Sequence, residues 1–73
     1  MWEIKKNRYI NKQYDIEVVF DSVFKKWEIH FPINKKRRIK YYDTFKDASE
    51  IIRKEFGNEV YTDLKSAHIA DEI

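Results

Sequence analysis

The chain has 73 residues, 15 of them Lys or Arg and 13 Asp or Glu, with a formal net charge of +2 and no cysteine. Without disulfides or metal–thiolate clusters, apolar side chains must supply the core, and aromatic residues make up 16% of the chain. A lone glycine excludes the Gly-rich phosphate loops of nucleotide-binding enzymes, and no apolar run approaches the roughly 18 residues that span a bilayer.

The opening "MWEIKKNRYINKQ" is charged and lacks the apolar centre of a signal peptide, which points to a soluble, cytoplasmic protein. Within it Trp2 and Ile4 alternate and fit an edge strand paired with the first full strand. That strand is read at Tyr14 to Phe20, with Tyr14, Ile16, Val18 and Phe20 on one face and Asp15, Glu17 and Val19 on the other. "DSVFKK" supplies a connection. Trp27, Ile29 and Phe31 then alternate with Lys26, Glu28 and His30, and Pro32, which has no N–H to donate, marks the expected stop. A polar turn at Asn34 to Arg37 leads into a third strand, with Ile39 and Tyr41 read as core and Arg38, Lys40 and Tyr42 as outward.

Thr44 with Asp47 three residues on suits a helix start. Phe45, Ala48, Ile52 and Phe56 form a helical stripe, and Gly57 stands where a helix ends. Val60, Leu64 and Ala67 are spaced for a short second helix, with Ile69 or Ile73 closing over the core. The expected class is α+β in a single domain, residues 1–73. Its core, residues 14–56, is a three-stranded antiparallel meander packed on one amphipathic helix, with a fourth, N-terminal edge strand in residues 1–13 and a short C-terminal helix in 58–73.

Catalytic constellations are missing. His30 and His68 share no metal-ligand spacing, and Ser22, Ser49 and Ser66 have no nucleophile-elbow motif around them. A non-enzymatic protein without cofactor or metal is the expectation. Charge is the stronger signal. Residues 1–42 hold eleven basic and five acidic side chains, and residues 43–73 hold four basic and eight acidic. Five of the six residues from Lys35 to Lys40 are cations, and Lys25 and Lys26 come from the preceding connection. Lys and Arg on phosphates provide sequence-independent affinity for nucleic acid. A charged turn can also simply keep a small sheet soluble and its edge unpaired. The candidate nucleic-acid contacts are Lys25, Lys26, Lys35, Lys36, Arg37, Arg38, Lys40 and Tyr42. Asp15, Glu17 and Glu28 are expected opposite Lys26, Arg38 and Lys40 as cross-strand charge pairs.

The order strand–strand–strand–helix, with "KKWEIHF" (Lys25 to Phe31) and "RRIKYYDTFKDASEIIRKEF" (Arg37 to Phe56), resembles the AP2-like and integrase arm-type DNA-binding domains. Thr44, Asp47 and Ala48 match the family's turn and the small residue facing its sheet. The resemblance implies major-groove contact by the outer sheet face, through Lys26, Glu28, His30, Arg38, Lys40 and Tyr42. Asp15, Glu17 and Glu28 are acidic where that family is basic. A second reading, suggested by the acidic C-terminal half and by Lys, Ile, Asn and Tyr usage typical of AT-rich genomes and phages, is a small inhibitor. It would bind a protein such as a CRISPR-type nuclease through Asp47, Glu50, Glu55, Glu59 and Asp63. The partner is therefore DNA or a protein, with no membrane involved.

Overall fold

In the computed structural model, which describes residues 2–72, every hairpin turn has a local chemical cause. Strands β1 (Glu3–Lys5) and β2 (Arg8–Asn11) meet at Lys6 and Asn7, with Asn7 left-handed at φ 57°. β2 and β3 (Ile16–Asp21) are joined by four residues. There Asn11 Oδ1 accepts the Tyr14 N–H at 3.1 Å, and Asp15 closes the loop at φ 57°. The loop between β3 and β4 (Lys26–Ile33) repeats the device. Asp21 Oδ1 accepts the N–H groups of Val23 and Phe24, and Lys25 closes it at φ 57°. β4 and β5 (Lys36–Tyr42) flank a two-residue turn, Asn34 and Lys35, both at positive φ as a type I′ turn requires.

The result is a five-stranded antiparallel meander in the order β1-β2-β3-β4-β5. The three- or four-stranded expectation is corrected at the N-terminus. Residues 3–11 form a hairpin of their own, and β2, rather than an edge strand near Trp2, pairs with β3. Tyr14 lies in a loop. Pro32 does not stop β4, because a two-residue turn makes Ile33 and Lys36 the hydrogen-bonded pair. Pro32 and Arg37 then form the non-bonded pair, where a missing N–H costs nothing toward β5.

Helix α1 (Phe45–Phe56) starts at Thr44, whose hydroxyl accepts the Asp47 N–H at 3.1 Å. Gly57 (φ 101°, ψ 169°) ends it, its N–H donating to Arg53 O. The Gly57 carbonyl then accepts the Tyr61 N–H in α2 (Asn58–Glu72), so one residue serves both helices. α2 runs 15 residues rather than the short segment expected. Both helices cover one sheet face. Ile16, Val18, Ile29 and Phe31 pack with Ala48, Ile52 and Leu64, and the core extends beyond residues 14–56 to include Trp2, Tyr9 and Val60. The Trp2 indole N–H donates to Val60 O at 3.2 Å and pins the chain start to α2. Ile69 is 56% exposed and closes nothing, while Ile73 lies outside the described residues.

The main correction concerns β5. Phe31 pairs with Arg38, Ile29 with Lys40 and Trp27 with Tyr42. Arg38, Lys40 and Tyr42 therefore lie on the helix side, and Ile39 and Tyr41, expected in the core, are 48% and 63% exposed on the open face.

Candidate nucleic-acid interface

β5 is an edge strand, and from Lys36 to Tyr41 every residue is exposed. Arg37 projects on the open face, while Lys36, Arg38 and Lys40 project on the other, so cations bracket the edge from both sides. Lys35 sits at the turn. Arg37 reaches past Pro32 to Asp15, its Nη1 lying 2.7 Å from Oδ2 and 3.3 Å from the backbone oxygen. Lys40 Nζ stands 5.9 Å from the Phe31 ring centroid. Its stem lies on the rim of the core and its charge sits over an aromatic face. Among the described residues, Lys35, Lys36 and Arg38 make no ion pair, and no acidic residue lies on β5 or its turn.

The carboxylates elsewhere on the sheet are engaged, but with partners other than those expected. Glu17 lies 3.7 Å from Arg8, Glu3 lies 3.1 Å from Lys12, Glu28 lies 3.0 Å from His30, and Asp43 holds Lys26. Glu28 and His30 are both half-buried, so His30 is a bonded sheet residue rather than a solvent-exposed one. Lys25 and Lys26 lie at the opposite end of β4 from Lys35, roughly 26 Å away for eight extended residues. Although Lys40 is only three ladder positions from Lys26, it projects on the other face, and Lys26 is held by Asp43.

Tyr42 is half-buried on the helix side. Burial pushes its phenol up from the ordinary 10.0, and the nearby Glu55 carboxylate adds to this. It thus lies at the rim of the core on the helix side, not on the outward face where the strand alternation placed it. The six positions that the AP2-like resemblance assigns to DNA contact do not share a face. Lys26, Glu28 and His30 lie on the open side, and Arg38, Lys40 and Tyr42 on the helix side.

The acidic residues are also divided. Glu50 is held by Arg53 at 2.9 Å, Asp47 lies in the first turn of α1, and Glu55 faces Tyr42. Glu59 and Asp63, one turn apart on α2, line a cleft of about 370 Å³ with Gln13, Tyr14 and Asn58.

His68, to which the sequence assigns no role, is packed among aromatic rings. Its imidazole stacks on Phe45 at 3.7 Å and meets Trp27 edge-on at 5.6 Å, and its Nδ1 shares a 3.0 Å hydrogen bond with the Tyr9 hydroxyl. The signal for this lay in the helical phase, since Leu64 and His68 are four residues apart on one face. No helix among the described residues is long and apolar enough to cross a membrane, and no cluster of three metal-ligating side chains occurs among them. Comparison with protein-family models, curated proteins and solved structures returns no match for this chain.

Proposed function

We propose that the protein is a small non-enzymatic nucleic-acid-binding module that holds backbone phosphates along β5 and the turn before it. The carrying observation is the bracketed edge: five cations between Lys35 and Lys40, on both sides of an exposed strand that carries no carboxylate. Lys36 and Arg38, two residues and about 6.8 Å apart on one side of the strand, follow directly on Lys35 at the turn. A polyanion laid along this end of the edge therefore meets three cations that make no ion pair among the described residues. The open sheet face supports this role less, because Arg8, Lys26 and Arg37 there already face carboxylates.

The contact is one of charge and shape. Arg can read guanine edges, but β5 presents its cations at an edge rather than on a sheet face laid into a groove. Sequence preference is accordingly expected to be weak.

Retention of labelled duplex and single-stranded DNA and RNA at about 50 mM salt tests the reading. Lys35, Lys36 and Arg38 replaced together by Ala should abolish it, while Lys25→Ala, at the far end of β4, should leave it near wild type. A wild-type chain that retains none of these nucleic acids removes the proposal.

A further inference from the structure

The β3–β4 loop carries the two most exposed large apolar side chains among the described residues, Val23 at 80% and Phe24 at 73%. The loop holds them out in a defined geometry. The Asp21 carboxylate accepts both of their N–H groups, at 2.9 and 3.2 Å, and Lys25 is left-handed. The β2–β3 loop is built the same way and shows the alternative. Its aromatic, Tyr14, folds down to 5.7 Å from the Phe56 ring and is only 39% exposed. The same loop design can thus tuck its aromatic in, and at Phe24 it does not.

Cations surround this tip. Lys25 and Lys26 follow it directly. The Phe20 N–H donates to Asn7 O at 2.9 Å, which brings the β1–β2 turn, with Lys5 and Lys6, alongside. The described carboxylates at this end are already used, Asp21 in the loop itself and Asp43 on Lys26. Two neighbouring apolar side chains thus stand exposed at the end of the sheet that also carries Lys5, Lys6 and Lys25.

We propose that this tip docks on an anionic lipid surface. Val23 and Phe24 enter the boundary between headgroups and acyl chains, and Lys5, Lys6 and Lys25 lie against headgroup phosphates. A bilayer accepts a projecting apolar pair without a matching pocket, and its negative surface attracts the lysines. A nucleic-acid duplex would have to unstack a base step to receive the same pair. The contact is superficial and needs no spanning helix, so it departs from the sequence expectation of no membrane partner without requiring a span. It uses the end of the sheet opposite the β5 turn, so it stands independently of the nucleic-acid reading.

The test is co-sedimentation of the full chain with vesicles of equal parts phosphatidylglycerol and phosphatidylcholine, against vesicles of phosphatidylcholine alone. Binding is expected only to the anionic vesicles. The double variant Val23→Ser, Phe24→Ser should bind at least about tenfold more weakly, with an unchanged thermal melt because both side chains are exposed. Replacing Lys5, Lys6 and Lys25 together by Ala should weaken binding as well. Absence of binding to anionic vesicles overturns the proposal. So does binding that needs the lysines but not Val23 and Phe24. So does a double variant that loses nucleic-acid retention while wild type ignores vesicles, which would assign the tip to nucleic acid.

Discussion

Releasing Arg37 from Asp15 should steepen the salt dependence of nucleic-acid binding. Lys35, Lys36 and Arg38 make no ion pair among the described residues, while Arg37 is held by Asp15 and Lys40 lies over Phe31. Three phosphate contacts give a slope of log affinity against log salt of about −2.7 on duplex DNA, at roughly −0.9 per contact. Affinity should then fall about 40-fold between about 50 and 200 mM salt. Asp15→Asn removes the competing carboxylate and adds Arg37 as a fourth contact. The slope should move to about −3.6, and the same change of salt should cost about 150-fold. The pair is exposed, with the two side chains 41% and 69% accessible, so its loss should cost the fold at most about 1 kcal/mol. Fluorescence anisotropy of a labelled duplex across a salt series measures both slopes. If wild type and Asp15→Asn share one slope, or if Ala at Lys35, Lys36 and Arg38 leaves the slope unchanged, β5 does not hold the phosphates.

Leu64, fully buried between the helices and the sheet, should cost about 2–5 kcal/mol when replaced by Ala, read from the denaturant midpoint at unchanged m. A midpoint shift worth less than about 1 kcal/mol would mean that α2 contributes little to the core. Gly57→Ala should cost about 1–3 kcal/mol purely through its backbone, because an added Cβ would meet nothing within 4 Å while φ is 101°. Lys35→Gly should leave stability equal or raise it by up to about 1 kcal/mol, since φ 65° suits glycine, yet weaken nucleic-acid retention by removing one cation. The Tyr42 phenol is raised above 10.0 in the folded chain, so its neutral form is favoured there. That contribution is complete below pH 10.0 and lost as pH climbs from there through the folded value. The stability difference between wild type and Tyr42→Phe should therefore be constant at neutral pH and shift against wild type above pH 10.0, as checked by denaturant midpoints on both sides.

Legibility followed the strength of local periodicity. Trp27, Ile29 and Phe31 alternate without ambiguity, and Ile16 and Val18 do the same, so β3, β4 and their buried face can be read directly. The α1 stripe and its Thr44 and Gly57 boundaries are equally plain. β2 offers only Tyr9 and Ile10 between Arg8 and Asn11, and its buried polar member, Asn11, breaks the apolar pattern that marks a strand. Asn11 is buried because its side chain caps the next loop, a contact that no periodicity encodes. The candidate site was half visible. The density of cations from Lys35 to Lys40 is a sequence property, but Asp15 as partner to Arg37 depends on a contact across three strands. The Val23–Phe24 tip read as a mere connection because a loop with two apolar residues has no period to test.

The reversal of β5 has a simple cause in counting. In an antiparallel hairpin the numbers of paired residues sum to a constant, so a loop with an even number of residues pairs odd positions with even ones. With Trp27, Ile29 and Phe31 facing the helices, either a two-residue or a four-residue turn puts even-numbered residues opposite them. Ile39 and Tyr41 could face inward only across a turn of three or five. The count of apolar residues favours the odd face of β5, yet the turn decides, because Asn34 and Lys35 at positive φ close it in two. The cost is small at an edge. Arg38 and Lys40 can lay their stems along the rim and keep their charges in water. Had Ile39 and Tyr41 faced inward, Lys36, Arg38 and Lys40 would have joined Lys26, Glu28 and His30 on one open face, as the AP2-like resemblance requires. One turn residue more or fewer thus separates a sheet-face arrangement of these cations from the bracketed edge they form here.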